Sequence, residues 1–225
     1  MRLTRHCWYA FDMSFFSFMQ KRLRWSYWNA ALLLIAVNIG VFMLTSMNYR
    51  LTQYLALNPL LMLRQGMWWQ VFTYQFVHGG TGHLLSNMIG LFFFGAMLER
   101  HRSFGSSEFL LFYLVSGTLS GIASFFVYWI TGTWFVFLMG ASGAVFAVLF
   151  VYAVVYPRST IYLMGFVPVP APLLVIGYAG IEVFSLISGS NSGIAHGTHL
   201  FGFGFAWLYC RTRLGIKPLQ AWRNM

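Results

Sequence analysis

Four side chains in this chain are of types and spacings that could do chemistry. They are Ser142 in "GASG" (140–143), His199 in "HLFG" (199–202), and the pair His83 and Asn87 in "HGGTGHLLSN" (78–87). A serine hydroxyl becomes a nucleophile when a neutral imidazole takes its proton. The competing explanation for Ser142 is packing, because small residues let helices approach closely in lipid. His78, His83, His196 and His199 are the candidate bases, and His199 is favoured. Gly202 and Ala206 follow it at i+3 and i+7, on its own helical face, and Gly140 and Gly143 bracket Ser142. Two such faces bring backbones close enough for a serine to reach an imidazole. His196 falls one turn earlier, at the expected edge of a loop.

The acids are few: Asp12, Glu99, Glu108 and Glu182. The first three are assigned to the cytoplasmic side or inner face. Glu182 reads as a structural polar group bonded to a neighbouring span, with a gating role as the alternative. A Ser–His dyad is therefore expected rather than a triad. Phe146, four residues after Ser142, is expected to hold the histidine ring by stacking in place of a carboxylate. Acyl transfer also needs donors for the developing oxyanion. His83 and Asn87, four apart, share one helical face, and the Ser142 N–H near a helix start adds a third donor. One such donor is worth on the order of 10² to 10³ in rate. H-E-x-x-H is absent and no acid accompanies the histidines at their depth, so neither a metal nor an organic cofactor is expected. Cys7 and Cys210 match no metal or disulfide spacing.

The elements that must position these groups are membrane helices. The 225 residues are 59% hydrophobic and 8% charged, a composition for a bilayer. The net charge of +10 comes from basic residues between apolar runs, which points to an anionic membrane face and not to nucleic acid. Apolar runs of spanning length are read at about 28–46, 83–99, 108–130, 136–156, 161–188 and 195–210. Pro168, Pro170 and Pro172 should kink or loosen the fifth near its start. Residues 1–27 form a cytoplasmic or interfacial segment, with "SFFSFM" dipping into the membrane surface. Residues 28–210 form the six-span domain, with a long outer loop at about 47–82, and 211–225 a basic tail.

Lysine and arginine counts set the direction. Arg2, Arg5, Lys21, Arg22, Arg24, Arg100, Arg102, Arg158, Arg211, Arg213, Lys217 and Arg223 fall on one side; Arg50 and Arg64 fall on the other. Both termini are then cytoplasmic. Spans two, four and six run from outside to inside, which places His83, Asn87, Ser142 and His199 at one depth, on the order of 10 Å below the outer surface. Polar groups in a membrane are costly and usually functional.

"HGGTGHLLSN", "GASG" and "HLFG", in this order on the second, fourth and sixth spans, resemble the rhomboid family of intramembrane serine proteases. The likeness extends to "MWWQVFT" in the first loop, Glu99–Arg100 after span two and "VPVPAPLLVIGY" entering span five. It implies a six-helix bundle in which Ser142 is the nucleophile, His199 the base, and His83, Asn87 and the Ser142 N–H the oxyanion site. It also implies that span five and the loop after it gate access, and that His78 supports the structure. The partners implied are the lipid bilayer and transmembrane segments of other proteins. A non-catalytic relative that binds membrane proteins is the alternative; such relatives commonly lose the serine or histidine. Three departures stand out: Gln70 where the family usually has arginine, Phe146 where it often has tyrosine, and a "ERHRSFG" stretch two residues longer than usual. With no organelle signal read, the expected location is a prokaryotic plasma membrane, the site opening to the outer side.

Overall fold

The computed structural model describes residues 22–163, 165–189 and 195–223. Most of the 1–27 segment, "SFFSFM" included, lies outside them, as do residues 190–194 of the loop after span five. The described chain is mostly helical, with one two-stranded hairpin. In order, it runs α1 (Ala30–Met47), α2 (Tyr49–Leu55), α3 (Pro59–Gln65), α4 (Gln70–Thr73) and a 3₁₀ turn (Tyr74–Phe76). Then come α5 (Thr81–Arg100), which carries a π turn at Leu91–Gly95, and α6 (Gly105–Ile130). After them follow α7 (Ser142–Val155), β1 (Thr160–Leu163), β2 (Val167–Pro170), α8 (Ala171–Ile187), α9 (His196–Thr212) and α10 (Pro218–Arg223).

Among the described residues, α1, α5 and α6 are long and apolar enough to cross a membrane; α7 and α8 are apolar but shorter. The outer faces are greasy. On α8 alone, Leu173, Ile176, Ile181, Val183, Phe184 and Ile187 are exposed, a surface that suits lipid and not water. The protein is accordingly an integral membrane protein.

At the centre stands α7. Gly143 to Val145 and Ala147 to Val154 are all buried, and a helix apolar on every side belongs in the middle of a bundle. It packs chiefly on α9 and α6. The α6 face toward them is a serine ladder, Ser116, Ser120 and Ser124, all buried. Ser120 and Ser124 each return their hydroxyl to the carbonyl one turn back at 2.8 Å, so the ladder is small and its polarity is satisfied. Another α6 face takes the first loop: Tyr74 and Gln75 lie over Gly121 and Gly117, and the Tyr74 hydroxyl donates to the Gly117 carbonyl at 2.7 Å.

The fourth and fifth runs differ from their sequence reading. Residues 134–141 do not extend the helix backward; they form a strap docked on the first loop. Leu57 and Leu138 exchange both backbone hydrogen bonds at 2.9 Å, and the Gly140 N–H donates to the Tyr74 carbonyl at 3.1 Å. The helix thus begins at Ser142 itself. Before α8, the proline-rich stretch forms a two-stranded antiparallel hairpin pairing Thr160 with Pro170 and Leu163 with Val167. This is a departure from an all-α fold. The physical reason is that Pro168 and Pro170 lack an N–H, which a two-stranded ribbon tolerates on its free edge and a helix interior does not. Pro172, in the first turn of α8, replaces an N–H that would have no partner.

The described acids tie elements together. Glu99, at the end of α5, accepts from the first N–H groups of α1, Ala30 at 2.6 Å and Ala31 at 3.0 Å. Those are donors a helix start cannot satisfy alone. Glu108, on α6, takes a two-pronged bond from Arg213 at 2.8 and 3.0 Å, along with the Leu23 N–H and the Tyr209 hydroxyl.

Candidate active site

Ser142 is the first residue of α7, and His199 lies in the first turn of α9. Their side chains meet: His199 Nε2 and Ser142 Oγ are 2.7 Å apart. The helices reach this closeness because neither has a side chain at the crossing. A Cβ on Gly202 would collide with the Gly143 carbonyl, and one on Gly143 would press on Ser120 and Thr198. Thr198 fixes the crossing further by a 2.7 Å hydroxyl bond to Ser124 of α6. The Phe146 ring stacks on the imidazole of His199, with centroids 4.2 Å apart and planes 14° from parallel.

The other nitrogen of the same ring is also engaged. His199 Nδ1 is 2.8 Å from Glu182 Oε1, and the second carboxylate oxygen is 2.5 Å from His196 Nδ1. All three side chains are buried. From the sequence alone no carboxylate is expected within reach of His199, and His196 is expected at a loop edge; α8 brings the one and the first turn of α9 the other. A signal for this was available. Glu182 lies five residues before the end of α8, which in the expected orientation is the depth already assigned to His83, Ser142 and His199. That depth is shared by the odd-numbered span five as well as by the even-numbered spans.

His83 lies against the strap just before Ser142. Gly140 has a φ of +121°, a backbone region that favours glycine, and a Cβ there would stand 2.6 Å from the His83 ring and 3.7 Å from Ser142 Oγ. Glycine is thus required twice, by conformation and by the ring overhead. Asn87, one turn along α5 and buried, donates its Nδ2 to the His83 carbonyl at 2.9 Å. The Ser142 N–H opens its helix, so no carbonyl four residues back takes it, and it lies at the positive end of the helix dipole.

His78 meets the edge of His83 at 5.2 Å between centroids, and its Nε2 accepts from the Ala141 N–H at 3.5 Å. Burial first, and the neighbouring His83 second, hold its pKa down to about 4. A neutral ring is what that acceptor bond needs. Gln70, at the position where the resembling family usually has arginine, is fully buried and anchors the loop: Oε1 accepts from the Asn58 N–H at 3.0 Å, and Nε2 donates to the Gln53 carbonyl at 2.9 Å. Asn58 in turn donates to the Val136 carbonyl at 3.0 Å. The first loop therefore holds the strap that presents Ser142. Among the described residues, no group of three or more histidine, cysteine, aspartate or glutamate side chains is arranged to hold a metal.

A hydroxyl bonded to a buried, oriented imidazole at the positive end of a helix can attack an electrophilic carbonyl. A family model described as Rhomboid domain matches residues 65–215. The chain is 32% identical to the RHOMBOID-like protein 12, mitochondrial, of Arabidopsis thaliana, over 92% of this chain and 67% of that protein. It is 31% identical to RHOMBOID-like protein 4 of the same plant, over 67% of this chain but 39% of that one. With Rhomboid protease GlpG of Haemophilus influenzae the identity is 29%, over 68% of this chain and 74% of that protein. The relatives come from a plant mitochondrion as well as from bacteria, so they do not single out a prokaryotic plasma membrane.

Proposed function

This chain belongs to the rhomboid family, and on that premise we propose that it is an intramembrane serine endopeptidase that cleaves transmembrane segments of other proteins. The observation that carries the reading is the 2.7 Å bond between Ser142 Oγ and His199 Nε2. Ser142 attacks the scissile carbonyl while its proton passes to His199 Nε2. The oxyanion is received by the Ser142 N–H and His83, joined by Asn87 once its amide turns from the His83 carbonyl. Collapse of the tetrahedral intermediate expels the amine, which takes the proton back from His199. Water then repeats the sequence on the acyl-enzyme and frees Ser142. None of these steps calls for a metal or an organic cofactor.

The six runs are proposed to cross the bilayer with both termini cytoplasmic, which puts the cut near the outer face. The asymmetry of lysine and arginine supports this orientation. A helical substrate hides its carbonyls in hydrogen bonds, so it must unwind before attack. Helix-weakening residues and small side chains at the cut are therefore expected. Entry of the substrate past α8 is proposed on the same reading.

The test compares wild type, Ser142→Ala and His199→Ala, reconstituted with a generic transmembrane substrate whose fragments are located by mass spectrometry. The reading expects cleavage near the outer end of the substrate helix by wild type alone. Cleavage by the serine variant would overturn it.

A further inference from the structure

We infer that Glu182 is the positioning residue that makes His199 a base, so that the site works as a Ser142–His199–Glu182 triad braced by His196. The inference rests on the protease reading above and deepens it. A carboxylate buried on an apolar helix is costly unless its oxygens are paired. Both of Glu182's are: one faces His199 Nδ1 at 2.8 Å, the other His196 Nδ1 at 2.5 Å. An ionised carboxylate only accepts. Each ring must therefore turn an Nδ1–H toward it, and this decides the tautomer of His199. Its Nε2 is left with a lone pair, and that lone pair points at Ser142 Oγ, 2.7 Å away.

Interhelical glue would account for a carboxylate bonded to one histidine. It does not account for the choice of the ring that also holds the serine. His196 and His199 are three apart in the first turn of α9, so their rings share one face. His196 occupies the second oxygen and keeps the carboxylate from swinging away. His199 is then fixed on three sides: Phe146 on its face, Glu182 at Nδ1 and Ser142 at Nε2. During attack the serine proton moves to Nε2, the Nδ1 proton stays where it is, and the anion of Glu182 faces the imidazolium that forms. No proton passes to Glu182.

The experiment measures fluorophosphonate labelling of Ser142 in purified wild type, Glu182→Gln and His196→Gln. Both the rate constant and the final labelled fraction are read, together with kcat, KM and the melting temperature. For Glu182→Gln, whose amide can present an N–H to His199 and reverse its tautomer, labelling rate and kcat should fall on the order of 10² to 10⁴. KM, the final labelled fraction and the melting temperature should stay near wild type. His196→Gln, which can still donate to Glu182, should lose less. A rate within about threefold of wild type for Glu182→Gln would overturn the inference. So would a loss confined to the labelled fraction or to the melting temperature, which is what mere glue predicts. Should the glutamine variant not fold, Glu182→Asp, which keeps the charge and withdraws the oxygens from both rings, carries the same comparison. Failure of the protease reading looks different: wild type itself would neither label nor cleave.

Discussion

At the scale of single residues, the site is a set of polar groups held by specific partners, and His78 shows what that implies for pH. The folded protein holds His78 near 4 while the unfolded chain titrates near its ordinary 6.5. Between those values the unfolded state binds more protons, so stability contributed by the neutral ring is present above pH 6.5 and is lost as pH falls toward 4. Resistance to chemical unfolding in detergent should therefore weaken as pH falls through that window, and His78→Gln should flatten this part of the profile. A profile unchanged by the substitution would detach His78 from the Ala141 strap. How far such residues could be read from sequence depended on local spacing. Ser142 with its glycines, His83 with Asn87, and Phe146 one turn past Ser142 all declare themselves within a few positions. Glu182 does not, because its partners lie 14 and 17 residues further on, across a loop. Nothing local marks it beyond being an acid in an apolar run, and only its depth gives it away.

At the scale of elements, two backbone contacts carry the geometry. Gly202 touches the Gly143 carbonyl, so Gly202→Ala must force α9 away from α7. Overpacking of this sort costs about 1–3 kcal/mol, and here the displaced ring is His199's. Cleavage should consequently fall by more than the lost stability alone explains, and thermal unfolding alongside a single-turnover assay would separate the two. Equal activity at a reduced melting temperature would show that the crossing tolerates the shift. The second contact is the strap from 134 to 141 on the first loop, through Leu57, Tyr74 and the Gln70–Asn58 pair. Sequence reasoning found the run from 136 to 156 as one apolar segment because hydropathy does not distinguish a helix from an extended strap of the same composition. The hairpin at 160–170 was hidden for a related reason: its prolines announced a disturbance but not its form. Helix ends marked by polar or small residues, such as those of α1 and α6, fell within a few residues of expectation.

At the scale of the whole molecule, α7 is short. Fourteen residues at 1.5 Å each make about 21 Å of helix, against roughly 30 Å of hydrocarbon in an ordinary bilayer. On the proposed six-span arrangement the bundle meets that hydrocarbon through its longer outer helices, while the short centre, buried on its sides, sets the nucleophile well inside the oily layer. Each ångström of misfit costs a fraction of a kcal/mol. The protein therefore should be sensitive to lipid chain length. Reconstituted in bilayers of increasing acyl length at fixed fluidity, it is expected to cleave more slowly as the membrane thickens, with the cut in the substrate moving along its helix. A rate and a cut position indifferent to thickness would mean that the longer outer helices, α1, α5 and α6, hold α7 at a depth the lipid does not change. On the first outcome, a central helix built too short makes the membrane a component of the site: the thickness of the surrounding lipid decides which stretch of a passing helix is brought level with the serine.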